Sequence, residues 1–248
     1  MKKIKIPMLD AFFKAIAENN KLYIPVDGKN GANYKLWEQG DKLSDQTNTL
    51  RSAKDFFFPQ TENLVDFKVN GQKIEIIDIR EEQEDFVVFG VRACDFKSFE
   101  VLDRVFLVDP IDTYYKNRRD HGVIITLACV NPDNTCFCQA FGIDATSPCG
   151  DIRAYKTNEY LYLESLTEKG EKLLASISDL LEDGDGKEVE TQIAETKEKL
   201  AKLPLSNLTP QDFTKRQLEI FNSPKWAELA QSCLGCGTCT FVCPTCQC

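Results

Sequence analysis

The sequence predicts an α/β (α+β) N-terminal domain with a short parallel βαβ core, followed by a helical connection and a cysteine-rich end. Three observations predict it. Two continuous apolar runs, DFVVFGVRAC at 85–94 and GVIITLAC at 122–129, have the β-branched composition of strands buried on both faces. Between them Phe96, Phe99, Leu102, Val105 and Phe106 recur every three or four residues, which is a helical period. Six of the 11 cysteines are then crowded into residues 233–248.

Taken in order, Leu9, Phe12, Phe13, Ile16 and Ala17 sit at helical spacing and predict an amphipathic helix over 8–18. KLYIPV at 21–26 reads as a strand, and FKVNGQKIEIID at 67–78 as a hairpin turning at Asn70-Gly71, together one half of an α/β layer. Residues 85–129 follow as strand, helix, strand, a parallel pair whose crossover is right-handed by rule, with Asp95 as candidate N-cap. In parallel sheets functional groups gather at the carboxyl ends of the strands, where Cys94 and Cys129 fall.

From about 178 to 208 the composition shifts to Glu, Lys, Asp and Thr, predicting a mobile, charged linker with some solvated helix. Its DGDGKE stretch is no calcium loop, because Lys187 stands at the third ligand position and the sixth residue is not glycine. Thr209-Pro210 and Ser223-Pro224 each read as an N-cap before a proline at the first helical position, so two short helices lead into the tail. The expected units are therefore 1–177, the α/β domain; 178–208, the linker; and 209–248, a helical lead-in and a cysteine motif.

The 30 basic against 39 acidic side chains, a net charge of -9, exclude the basic face that nucleic acid requires. Arg118 and Arg119 read as a solvated helix face. No apolar run reaches the roughly 20 residues of a membrane span, and the opening carries acidic residues where a signal peptide is apolar, so a cytoplasmic protein is expected. Neither GxGxxG nor GxxxxGK[ST] occurs, which argues against a self-contained nucleotide site. Cysteines in an unexported chain are not a disulfide framework, so metal is the leading explanation. With one histidine, His121, read as a core or surface imidazole, any metal site must be built from thiolates, and such sites hold zinc or iron–sulfur clusters.

Cys233, Cys236, Cys239 and Cys243 before Pro244 make C-x2-C-x2-C-x3-C-P, the spacing of bacterial-type ferredoxins and the first half of a ferredoxin-like dicluster domain. Gly235 and Gly237 let the backbone approach sulfide. A zinc knuckle would use two separated C-x2-C pairs instead. In two-cluster ferredoxins the fourth cysteine serves the other cluster and a later run returns the favour. No later run follows here. The expectation is a fragment of a longer protein, with both C-terminal clusters incomplete, unless Cys246 or Cys248 supplies the missing ligand; without metal the tail should be poorly ordered.

Cys94, Cys129, Cys136 and Cys138 form a second constellation that matches no simple ferredoxin run. Their spacing leaves buried free cysteine open for Cys94 or Cys129, though less so for the C-x-C pair. Were they to hold a 4Fe-4S cluster, Arg92 and the N-terminus of the helix after Cys94 would stabilise its negative charge. Cys149 reads as a spare.

GVRACDFKSFEVLDRVFL, YYKNRRD, the strand ending in LAC, NTCFCQAFG, RSAKDFFFPQTE and the tail CLGCGTCTFVCPTCQC together resemble the iron–sulfur subunit of anaerobic sulfite reductase and the beta subunit of soluble NiFe hydrogenases. The resemblance runs from about residue 50 to the end. It implies an electron-transfer protein, not catalytic alone, relaying electrons between a flavin- and NAD(P)-binding reductase partner and a terminal catalytic subunit. It further implies that Cys94, Cys129, Cys136 and Cys138 hold a first 4Fe-4S cluster, Cys233, Cys236 and Cys239 a second, and that Cys243 belongs to a third. The rival from the residues alone is a zinc-stabilised interaction module.

Overall fold

The fold is that of a computed structural model that describes residues 1–247, with Glu82 described by its backbone only. Cys248, one of the two candidates for a missing tail ligand, lies outside the described residues.

Strand β1 (Lys2–Lys5) leads into helix α1 (Leu9–Ala17), where the predicted stripe buries Phe12, Phe13 and Ile16. β2 (Lys21–Gly28) and β3 (Gly31–Leu36) form a hairpin, and β4 (Asp66–Asn70) and β5 (Lys73–Ile77) form another around Asn70-Gly71. Then come β6 (Phe86–Val91), α2 (Ala93–Phe106), α3 (Thr113–His121), β7 (Gly122–Leu127), β8 (Ile152–Lys156), β9 (Tyr160–Ser165), α4 (Glu168–Ser176) and β10 (Glu182–Asp183). The chain closes with α5 (Lys187–Ala201), α6 (Pro210–Thr214), α7 (Gln217–Phe221), α8 (Lys225–Ala230) and α9 (Thr238–Val242).

Eight strands join one mixed sheet in the order β10-β1-β9-β8-β7-β6-β2-β3. Its centre, β2, β6, β7 and β8, is parallel; the flanking strands are antiparallel. All six residues of β6 are buried because both faces are covered. Val87, Phe89, Ile125 and Leu127 pack on one side with Phe12, Phe13 and Ile16 of α1 and Leu173 and Leu174 of α4. Phe86, Val88, Val91 and Ile124 pack on the other with Phe99 and Leu102 of α2, Tyr115 of α3 and Phe57. At about 1.5–3 kcal/mol for each fully buried large side chain, these two layers fix the register of the central strands.

Five sequence expectations are corrected. The β4–β5 hairpin is no part of the α/β layer: it is its own sheet, and Phe67, Val69, Ile74 and Ile76 share its exposed face, 62–72% accessible. The helix after β6 starts three residues early, with Arg92 in extended conformation at the cap position rather than Asp95, which lies in its first turn. Arg118 and Arg119 are not solvated: Arg118 meets Glu62 at 2.5 Å, and Arg119 grips Asp103 through two nitrogens at 3.0 Å while lying over Phe57 and Phe99. The charged stretch after 186 is helix α5, whose Val189, Thr196 and Leu200 are buried against the domain while its acidic and basic residues face out. Among the described residues three short helices rather than two precede the tail, and α8 begins after Pro224, which takes the cap position in place of Ser223. Thr209 does cap α6, in a capping box with Asp212.

Candidate metal centre

Parallel β6 and β7 end side by side, and the chain that leaves each carries a cysteine within three residues. Near the end of β6 the ladder is interrupted by a bulge at Gly90, which has φ +87 and lies so close to Pro25 that a β-carbon would come within 3.0 Å of it. Beyond it come Arg92 and the start of α2, with Cys94 exposed on the first turn of α2. After β7, Cys129 is buried and donates its amide to the carbonyl of Ala145 at 2.9 Å. That bond closes a loop over the same end of the sheet, and the loop carries Cys136 and Cys138. A short turn, Cys138–Phe141, ends at Gly142 in the left-handed conformation and returns the chain to Ile143, whose amide bonds the Cys138 carbonyl at 3.0 Å.

The structure therefore brings the four predicted thiols of this domain into mutual electrostatic range. Cys94 is held below the usual thiol pKa chiefly by a hydrogen bond from Cys138. Cys138 is pushed far up by that same bond, by burial and by the charges of Cys94, Cys129 and Cys136, so of the pair Cys94 is the first to lose its proton. Burial pushes Cys129 up to about 11 against the pull of Arg92, and burial also raises Cys136, whose sulfur accepts from the Asp133 amide at 3.3 Å. A site that packs four thiols, raises three of them and binds one cation nearby is short of positive charge. Among the described residues no three cysteine, histidine or acidic side chains converge on one point as a single ion would require. The donor set, four sulfurs without nitrogen or oxygen, is of the kind that suits zinc or an iron–sulfur cluster.

Arg92 ties the surroundings together. Its guanidinium donates to the carbonyls of Thr47 at 2.9 Å, Gln46 at 3.1 Å, Ala128 at 3.2 Å and Leu127 at 3.3 Å. It thus fixes the loop from β3 against the end of β7 and sets a permanent cation beside Cys129. Asp95 opposes it: burial pushes this carboxyl up to about 6, although it accepts hydrogen bonds from the Ala53 amide and the Ser52 side chain.

The tail is built differently. Gly235 and Gly237 both adopt left-handed φ, +67 and +72, as the ferredoxin-type loop requires. Cys233, Cys236 and Cys239 are exposed, and Cys243 is half-buried. Cys233 accepts from the Gly235 amide at 3.4 Å, and a bond to Thr238 holds Cys236 low. Burial works against ionising Cys243, yet bonds involving Thr245 and Cys246 outweigh it and bring it down to about 7. A cavity of about 230 Å³ is lined by Arg92, Cys94 and Asp95 together with Val242 and Pro244, which places the end of the tail near Cys94.

Cys149 stays exposed, and His121 is partly buried with its Nδ1 2.6 Å from Asp85 Oδ1. Sequence reasoning singled out RSAKDFFFPQTE only as part of a family resemblance and gave no role to its turn at Ser52–Phe57, the partner of both Asp95 and the tail.

Fold and site together define a class: an α/β protein that gathers thiols at the carboxyl ends of a parallel sheet and appends a ferredoxin-type cysteine loop. The chain is 32% identical over 240 residues to sulfhydrogenase 2 subunit beta of Pyrococcus furiosus, an alignment that covers 96% of this chain and 69% of the relative. It belongs to the sulfhydrogenase beta subunit family. No family model and no solved structure matches it. Among the described residues no helix is long and apolar enough to cross a membrane.

Proposed function

We propose that this chain is the electron-transfer iron–sulfur subunit of a hydrogenase-type or sulfite-reductase-type complex. It would relay electrons between a subunit that binds flavin and NAD(P)H and a terminal catalytic subunit, with no substrate chemistry of its own. The observation that supports the reading is the approach of Cys94, Cys129, Cys136 and Cys138 to within electrostatic range of one another over the ends of β6 and β7, beside Arg92. A 4Fe-4S group bound there would supply one-electron chemistry. The chain's own part is positional. The bulge at Gly90 and the closed loop after Cys129 hold the sulfurs, the N-terminus of α2 and the Arg92 cation offset thiolate charge, and burial of Cys129 keeps water from one wall. The subunit name of the P. furiosus relative supports a partner-bound role. The C-x2-C-x2-C-x3-C-P run, with Cys233, Cys236 and Cys239 for one group and Cys243 for another, extends the relay beyond the first group.

The test is an iron, acid-labile sulfide and zinc count per chain on anaerobically purified protein, wild type against Cys136→Ser. Loss of about four irons and four sulfides in the variant supports a cubane in the α/β domain. Zinc without sulfide would overturn the electron-transfer reading.

A further inference from the structure

Lys54 is among the most buried charged residues in the chain, 5% accessible, and it ends in the tail. Its ammonium donates to the carbonyl of Cys243 at 2.7 Å and of Cys246 at 3.0 Å, so it grips the backbone on both sides of Pro244. Burial of a cation carries a large desolvation cost unless oxygens replace water, and here the oxygens belong to the cysteine loop itself.

The turn that carries Lys54 is rigid. Ser52 caps it by accepting from the Lys54 amide at 3.2 Å, Ala53 and Phe57 are fully buried, and Phe57 packs edge-on against Phe99 of α2 at 4.9 Å. Asp95, next to Cys94 in the chain, bonds this same turn through the Ala53 amide and the Ser52 side chain. A continuous series of bonded groups therefore runs from Cys94 through Asp95, Ser52–Ala53 and Lys54 to Cys243. Arg51 adds a second hold, lying over the Phe241 ring at 5.1 Å while pairing with Asp55 at 2.6 Å.

We propose that Lys54 is a positioning residue that seats the Cys243 segment against the Cys94 end of α2, so that a group ligated by Cys243 lies beside the one held in the α/β domain. Its charge also favours the reduced, more negative state of that Cys243-ligated group. The seating stands on the structure alone; the electrostatic half rests on the electron-transfer reading above.

The experiment uses the full chain with Lys54→Met, which keeps the buried stem, and Lys54→Arg, which keeps the donors. In metal-free protein, amide hydrogen exchange of residues 238–247 should accelerate at least tenfold in Lys54→Met and stay near wild type in Lys54→Arg, while β6 and β7 remain protected. Unchanged exchange of 238–247 in Lys54→Met, or equal loss of protection in β6 and β7, overturns the seating. In anaerobically reconstituted protein, the reduction potential of the signal that Cys243→Ser abolishes should fall in Lys54→Met and hold in Lys54→Arg. A potential that does not move overturns the electrostatic half. Wild-type protein that takes up iron and sulfide but shows no signal that Cys243→Ser abolishes overturns the electrostatic half alone; protein that takes up neither overturns it together with the electron-transfer reading, and in both cases the exchange result still decides the seating.

Discussion

Arg92 can be tested separately as a strut and as a charge. Its four bonds to main-chain carbonyls, two near 3.0 Å and two at 3.2–3.3 Å, join the loop before Arg51 to the end of β7. Hydrogen bonds to a charged group contribute about 1.5–3 kcal/mol each when well formed; counting the two longer ones at half weight and leaving out the one to the exposed Gln46 carbonyl gives about 3–6 kcal/mol, and the part-exposed setting puts Arg92→Met at the lower end, about 3 kcal/mol. In a chain of this size that is a fall of about 6–12 °C in Tm. Arg92→Lys keeps the charge but cannot span four acceptors, so it should lose about half as much stability. The assay pairs thermal unfolding of the metal-free protein with iron and sulfide counts after anaerobic reconstitution. Lys at 92 should retain more iron than Met, because only the charge offsets the thiolates. Equal iron retention in the two variants would refute the electrostatic role, and an unchanged Tm in Arg92→Met would refute the strut.

Asp103 receives the Tyr115 hydroxyl at 2.7 Å and two Arg119 nitrogens at 3.0 Å, so Asp103→Asn should destabilise by about 2 kcal/mol in urea unfolding, whereas Asp120→Asn, removing an exposed pair with Lys116, should change it by no more than about 0.5 kcal/mol. Asp95, raised from 3.8 to about 6, binds its proton more tightly in the folded chain, so its contribution is fully present below about pH 4 and is lost as pH rises to 6, by about 3 kcal/mol at most. Asp95→Asn should flatten that part of the stability–pH curve of the metal-free protein; an unaltered slope between pH 4 and 6 would show that the carboxylate is solvated.

Much of the first constellation was legible because its positions follow from the central strands. The runs at 85–94 and 122–129 lie between turn signals and have a helix between them, so Cys94 and Cys129 fall at the same end of a parallel pair by topology alone. Cys136 and Cys138 were legible as a C-x-C motif, but not their return over the sheet, which depends on the Cys129–Ala145 and Cys138–Ile143 bonds of an irregular loop. The charged stretch that became α5 was misjudged because composition averages over a helix whose narrow apolar stripe is only Val189, Ile193 and Leu200. Arg118 and Arg119 were misjudged because their partners, Glu62 and Asp103, are 56 and 16 residues away, where no local pattern registers them.

The same long-range blindness hid Asp95. As an N-cap it would have served its own helix; instead its carboxylate turns to Ser52 and Ala53, and Arg92, which has no capping oxygen, takes the cap position. The exchange costs α2 a cap, about 1 kcal/mol in a typical helix, and leaves a carboxylate near thiols that are themselves short of positive charge. A fold selected for stability alone has little reason to keep that arrangement. It becomes intelligible if the bond from Asp95 to the Ser52 turn serves to fix Lys54, because the turn then touches both cysteine groups.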